Sequence, residues 1–562
     1  MVNRILTFLN KEFNGVNEAA LLLGGFAFAS QLLGLVRDRT IAHIVGAGPI
    51  LDVYYAAFRI PDFLYLSIAS LASITVLMPF IMDKMNSKEE GMAKAKAFMN
   101  NVFSAYMLFM ICISVLIGIF MPVIAKVIAP GFSEAQMTLL VMTSRIMLFS
   151  PIFIGLSNLI GTITQLYKNF FIFSLSPIFY NIGILFGIIY LYQYLGVYGL
   201  ALGVILGALM HFIVQVPIVI SHGFFPRFVS KIAWLEIWKV VKQSLPRTLA
   251  LSCNSLAFIA LIAMASELKE GSISLFTFSY NLQSVPVGII GISYAVAAFP
   301  VLVKSFSAKD IGNFISHITS AARSIIFWSL PVIALIVVLR AQIVRVVLGS
   351  DTFSWIDTRL TAAAAALFVL SLATQSLVLL FVRGYYASGN TKKPLLINVS
   401  SSLATIIFAY LLIYIFKAYP QILINLEILL RVKDVPGTIM LALPMAYALG
   451  SLLNFILIWV MFQKDFLHNK SSKISKTFIQ SIIGAFVMGI VAYLALSLFD
   501  DVFVISTGLG IFLQGFFAGI IGISFGVLAL AWMRNQELID IVDVLSHKFW
   551  RSRVLAPEQK EL

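Results

Sequence analysis

Apolar residues fill this chain in long runs separated by short polar connections. A run of about 20 residues crosses a hydrocarbon core of ~30 Å as a helix. Such runs recur at 17–45, 51–82, 97–124, 137–163, 171–193, 199–220, 240–266, 274–303, 320–348, 359–386, 394–417, 437–463, 477–499 and 503–533. The pattern predicts an all-α polytopic membrane protein with about 14 transmembrane helices and no large soluble domain. Residues 1–16 read as an interfacial segment leading into the first span. Residues 534–562 alternate apolar and charged positions before a polar end, as a cytoplasmic interfacial tail does.

Two parts of the chain echo each other. Pro177 and Asn181 enter span five as P-x-x-x-N, and Pro394 and Asn398 enter span eleven in the same way. One span later, Leu206-Gly207, Leu209 and Phe212-Ile213 are matched by Leu449-Gly450, Leu452 and Phe455-Ile456. A unit of six spans repeated in one orientation predicts two six-helix lobes, 17–220 and 221–463, in pseudo-twofold repeat. That is a transporter architecture with its site between lobes. Spans thirteen and fourteen, in 464–533, are then two extra C-terminal helices. Chance similarity among apolar helices stays open as the alternative.

Composition sharpens this picture. Of 562 residues, 60% are hydrophobic and 11% charged, against ~25% charged in soluble domains; the mean hydropathy is +0.97. The 39 Lys and Arg outnumber 25 Asp and Glu, for a net charge of +14. They gather in alternate connections, at Lys84, Lys94, Lys96, Arg227, Lys231 and Lys304 among others, while the opposite set is nearly bare. By the positive-inside rule both termini are cytoplasmic. No basic block alternates with aromatics outside the spans, so no nucleic-acid partner is expected. Cys112 and Cys253 sit in apolar runs and read as packing residues. The histidines are scattered, and no P-loop, G-x-S-x-G or zinc spacing occurs. A pump with its own ATPase is excluded, and the chain is expected not to be an enzyme.

Candidate chemistry is concentrated in residues 30–63, SQLLGLVRDRTIAHIVGAGPILDVYYAAFRIPDF, where Arg37, Asp38, Arg39, Asp52 and Arg59 stand inside or at the ends of apolar runs. A charge at the centre of a membrane helix costs ~2.5–3.5 kcal/mol, so these residues should face partners or a water-filled cavity. Arg37 and Asp38 point ~100° apart on a helix, so their partners are expected elsewhere. Asp52 and Arg59, seven apart, share one face of span two. Arg145, in TSRIMLFSP, is a third buried cation. Arginine suits a phosphate because its planar fork binds two oxygens and stays charged when desolvated. Internal Arg-Asp bridging that only fixes packing is the competing reading. Pro61, Pro79, Pro286, Pro300 and Pro331 bend their spans, as a moving element or an ordinary membrane helix would.

The run GLVRDRTIAHIVGAGPILDVYYAAFRIPDF (34–63) strongly resembles the opening of the MurJ (MviN) family of lipid II flippases, in the multidrug/oligosaccharidyl-lipid/polysaccharide (MOP) exporter superfamily. Residues 143–187, 197–217, 282–302 and 383–394 resemble the same family. The resemblance implies fourteen helices, a cationic cavity between two lobes, and a last helix pair that accommodates a polyprenyl tail. It further implies transfer of an undecaprenyl-diphosphate-linked glycopeptide from the inner to the outer leaflet of the bacterial cytoplasmic membrane by alternating access. By position Arg37, Asp38 and Asp52 match functional residues of the family, and Arg59 stands where it has Arg or Lys. Gln31 and Asn281 stand where it has arginines, and Tyr65-Leu66 and Ser70-Leu71 replace its Arg-Arg and Glu-Gly. The expected substrate-binding set is Arg37, Arg59, Asp38, Asp52, Gln31, Asn281 and Arg145. No cofactor is expected, and a coupling cation stays open. A monomer in the lipid bilayer is expected, with contacts to cell-wall synthesis machinery. Alternatives are a MOP exporter of another lipid-linked glycan, a small-molecule antiporter, a membrane glycosyltransferase or a scaffold.

Overall fold

The computed structural model of the chain describes residues 16–68, 74–86, 90–467, 472–504 and 507–550. Among them every regular element is a helix. In chain order these are α1 (Val16–Ile44), α2 (Pro49–Ala57), α3 (Arg59–Ser67), α4 (Ile74–Met85), α5 (Gly91–Ile128), α6 (Glu134–Met147), α7 (Phe149–Leu166), α8 (Phe170–Phe186), α9 (Tyr192–Leu195), α10 (Val197–Ile213), α11 (Val216–Ser221) and α12 (Trp234–Ser266). There follow α13 (Ser272–Pro286), α14 (Ser293–Ser307), α15 (Ile311–Leu348), α16 (Trp355–Val369), α17 (Leu372–Ala387), α18 (Lys392–Ala418), α19 (Pro420–Leu430), α20 (Ala442–Phe462), α21 (Ser472–Phe499), α22 (Gly508–Trp532) and α23 (Gln536–Trp550). The expected interfacial segment 1–16 lies outside the described residues except for Val16, as do Ser70, Leu71 and the last twelve residues of the tail.

Ten helical stretches among the described residues are long and apolar enough to cross a membrane, or eleven if α16 and α17, bent by 41°, form one span. The chain is a multi-pass membrane protein. The expected fourteen is not reached by this count. The other three expected spans fall on α1, on α2 to α4 and on α12. Proline explains where two of the runs break. Pro61 has no N–H for the Ala57 carbonyl, and α2 ends at Ala57; Pro151 has none for Met147, and α6 ends there. Two other spans keep their direction through π-helical turns, Gly187–Leu191 after α8 and Val287–Ile292 after Pro286.

The chain packs as two units. One comprises Met1–Leu282, Val347–Ala364 and Thr391–Gly450; the other comprises Gln283–Val346, Ala365–Asn390 and Ser451–Leu562. In the first, Leu77, Phe98, Met110, Leu159 and Ile163 anchor an apolar core. There α8 and α10 meet backbone to backbone. A Cβ on Gly183 would overlap Gly207, one on Gly187 would overlap the Gly203 Cα, and one on Gly207 would overlap the Tyr180 carbonyl. Small residues at such positions are what let membrane helices approach closely.

In the second unit, α21 and α22 pack through Gly484 against Leu530 and Gly522 against Ala492. The C-terminal helix α23 is tied in at Glu537 by an ion pair. Arg323 Nε lies 2.5 Å from Glu537 Oε1, which also accepts the Thr477 hydroxyl at 3.0 Å. Asp310 caps α15, accepting the Asn313 N–H at 3.0 Å, and these bonds hold its carboxyl below the usual range. One packing expectation needs correcting. Cys112 is exposed on α5 rather than packed in the core, because the helix turns that face outward.

The glycine contact yields a prediction. Gly207→Leu should cost about 1–3 kcal/mol of stability through overpacking, read as a lower melting temperature of the detergent-solubilised protein. Gly24→Ala, with nothing within 4 Å of the added Cβ, should leave the melting temperature unchanged.

Candidate functional site

The charged stretch folds as a helix, a tight turn and a second helix. Gly46 turns the chain at φ +75, and a Cβ there would lie 2.8 Å from the Thr352 carbonyl, so both conformation and space demand glycine. Pro49 then opens α2 in its first turn, where a missing N–H is harmless. Carbonyls left over at the end of α1 face Thr352, whose single hydroxyl proton is shared between the carbonyls of Ala42 at 2.9 Å and His43 at 2.5 Å.

Among the described residues Asp52 meets no arginine. Only 3% exposed, it accepts the Gly271 N–H on Oδ2 at 2.7 Å and the Ser274 N–H on Oδ1 at 2.7 Å, and Oδ1 also takes the Ser274 hydroxyl. These are orphan donors at the start of α13. A carboxylate there is favoured both by the hydrogen bonds and by the helix dipole. Asp52 is a cap supplied to α13 by another helix.

Two turns further along the same face of α13, Asn281 Nδ2 donates to Asp38 Oδ2 at 3.0 Å. Asp38, 5% exposed, also receives Arg37 through Nε at 3.0 Å and Nη2 at 2.8 Å, both on Oδ1. Both neighbours find partners on other helices, as expected, but the expectation that they do not pair with each other is corrected. The arginine side chain is long enough to wrap the ~100° between adjacent positions, which differ by ~1.5 Å in height. Arg37 Nη1 reaches Asn181 Oδ1 at 3.2 Å on α8, and Asn181 Nδ2 lies 3.4 Å from Ser30, one heptad before Arg37. Asn181, marked in the sequence only as part of the repeat, positions a charged side chain.

Arg59 lies beyond the break at Phe58, so span two does not carry Asp52 and Arg59 along one unbroken helix. Its Nε donates to the Tyr55 carbonyl at 3.1 Å, and its guanidinium lies 4.6 Å from the Phe258 ring centre. Phe258 packs in turn on Tyr280, with ring centres 4.8 Å apart. Among the described residues no carboxylate lies within ion-pair distance of Arg59. It is a cation with an aromatic face behind it and donors to spare.

Arg145 stands apart from this group. Its Nε donates to the Gly118 carbonyl on α5 at 2.8 Å, the carbonyl that Pro122, four residues on, cannot satisfy. Its observed role is to replace a missing backbone donor. Gln31 is exposed on α1, on the Asp38 face two turns earlier. Asp62, not among the residues singled out from the sequence, is exposed on α3 three positions after Arg59. The i, i+3 spacing to Arg59 was the available signal. No group of three or more His, Cys, Asp or Glu able to hold a metal occurs among the described residues.

Two outcomes follow from this geometry. Arg145→Met should lower the melting temperature by leaving the Gly118 carbonyl unpaired, worth about 1–3 kcal/mol, and Pro122→Ala should restore it by returning an N–H; a double-mutant cycle read by thermal unfolding checks this. Asp52→Asn sets an amide N–H against N–H donors, and hydrogen exchange at Gly271 and Ser274 should accelerate while that of the α8–α10 pair does not.

Comparison with known proteins follows the same lines. The family profile described as lipid II flippase MurJ matches residues 41–513. A probable lipid II flippase MurJ of Buchnera aphidicola subsp. Baizongia pistaciae is 26% identical over 389 residues, covering 68% of this chain and 75% of that protein. Among solved structures, lipid II flippase MurJ in an inward closed conformation superposes with a TM-score of 0.71 at 22% identity, covering 93% of this chain and all of that one. An inward-facing multidrug resistance MATE family transporter of the MOP superfamily superposes with a TM-score of 0.60 at 15% identity, over 80% of this chain and 96% of that one. With the profile spanning most of the sequence and the fold shared, the chain belongs to the lipid II flippase MurJ family.

Proposed function

We propose that this chain is a transporter rather than an enzyme, and that it moves lipid II, an undecaprenyl-diphosphate-linked glycopeptide, from the inner to the outer leaflet of the bacterial cytoplasmic membrane. The observation that carries the reading is Arg59, a guanidinium held against Phe258 with no carboxylate within ion-pair distance among the described residues. An arginine kept unpaired inside a family of lipid-diphosphate carriers is suited to bind phosphate. Arg59 is the principal phosphate ligand in this reading. Arg37, half neutralised by Asp38, is the second. Asp38 and Asp52 act through α13: they hold it at Asn281 and at its N-terminus, and releasing either carboxylate loosens that helix from α1 and α2. Gln31 offers a polar contact near the same face, while Arg145 supports the fold.

Transport proceeds by alternating access between two six-helix lobes, 17–220 and 221–463, with the 464–533 pair accommodating the polyprenyl tail. Both termini lie in the cytoplasm, as the lysine-rich connections imply. The membrane potential supplies ~2.3 kcal/mol per net charge per 100 mV, enough to bias the cycle; a coupling cation is the other source. The protein works as a monomer in contact with cell-wall synthesis enzymes.

In proteoliposomes carrying fluorescent lipid II, Arg59→Ala should slow leaflet transfer about tenfold or more, from the loss of charge-assisted bonds, with Arg59→Lys intermediate. Arg59→Ala that transfers at the parent rate sinks the phosphate role. In cells depleted of an essential lipid II flippase, the parent chain should restore growth. Failure at normal membrane expression points to another cargo.

A further inference from the structure

Asp62 is the charged group that the phosphate reading leaves unused. It lies on α3 one helical turn after Arg59, so the two side chains share a face. Its neighbours Ile60, Pro61 and Leu64 are buried, whereas Asp62 itself is exposed. A carboxylate exposed within a membrane span faces either lipid or an internal polar space. The side chains flanking it on that face meet other helices: Arg59 lies over the Phe258 ring of α12, and the Tyr65 hydroxyl, three positions on, accepts the Asn158 amide of α7 at 3.2 Å. Asp62 therefore faces the space between α7 and α12 rather than lipid. Among the described residues its carboxylate makes no hydrogen bond and no ion pair within 4 Å. It stands open beside Arg59, which is open as well.

The geometry points to a two-signed headgroup site, in which Asp62 receives a primary ammonium group of the cargo while Arg59 holds its phosphate. This rests on the lipid-diphosphate reading and adds a requirement to it: the cargo carries a free amine within reach of the phosphate-binding arginines. An ammonium fits better than a metal ion. A primary ammonium presents three donors and is satisfied by one carboxylate with nearby carbonyl or hydroxyl oxygens, whereas Ca²⁺ takes six to eight oxygens and Mg²⁺ a near-ideal octahedron. No cluster of acidic side chains accompanies Asp62 among the described residues. The group formed by Arg37, Asp38, Arg59 and Asp62 carries two charges of each sign, which complements a zwitterionic headgroup better than a purely anionic one.

The test uses the full chain in nanodiscs and two probes: lipid II whose peptide bears a free side-chain amine, and the same lipid acetylated at that amine. The parent chain should bind the free-amine form about tenfold more tightly, as one charge-assisted hydrogen bond provides. Asp62→Asn, nearly the same shape, should erase the preference while binding the acetylated form as the parent does. Asp62→Glu should keep it. Equal affinity of the parent chain for both forms overturns the assignment and leaves the lipid II reading intact, as does a preference that survives in Asp62→Asn. Equal weakening of both forms by Asp62→Asn assigns the residue to packing and overturns it too. Binding of neither form by the parent chain overturns the lipid II reading itself.

Discussion

A helix that starts inside a low-dielectric layer leaves N–H groups without partners, and a carboxylate taken into that layer loses its water. In this chain each problem answers the other. Asp52 gives its oxygens to the first turn of α13, and the first turn of α13 gives Asp52 its solvation. The same exchange recurs down the molecule. Asp38 takes the Asn281 amide and the Arg37 fork, Arg145 takes the carbonyl that Pro122 abandons, and Thr352 shares its hydroxyl proton between the carbonyls at the end of α1. Charged groups inside the spans are thus mostly spoken for by structure. Arg59 and Asp62, which make no ion pair among the described residues, are informative for that reason.

Much of this was legible in the sequence. Hydropathy located the apolar spans, because membrane insertion acts on summed composition and is insensitive to the detail of any one position. The stretch 30–63 announced itself by carrying charge where charge is costly. The family likeness came from the same residues. The partners were not legible, and for a physical reason. Whether Arg37 bonds Asp38 depends on rotamers, which spacing around a helix does not fix. That Asp52 caps α13 depends on a pairing across more than two hundred residues. Arg145 and Arg59 look equivalent in sequence, both arginines in apolar runs. One meets a carbonyl orphaned by proline and the other an aromatic ring, and only the packing of α5, α6 and α12 separates them.

Amides as well as arginines hold the charged residues of this stretch in place. Where arginines are expected, Gln31 is exposed on α1 and Asn281 is a hydrogen-bond donor to Asp38. An amide can hold a carboxylate in place without adding positive field, so Asn281 preserves the join between α1 and α13 while lowering the potential nearby. Position and potential, which one arginine would supply together, are here supplied by different residues.

The Arg145 and Pro122 pair has an evolutionary consequence. A proline in the last third of α5 is tolerable only while something else serves the Gly118 carbonyl, and an arginine in α6 is harmless only while it has such a carbonyl to serve. The two substitutions are therefore not independent steps in descent. A lineage that regains an ordinary residue at position 122 is released from needing arginine at 145. One that loses the arginine first must pass through a weakened intermediate, so drift at these two sites has a preferred order.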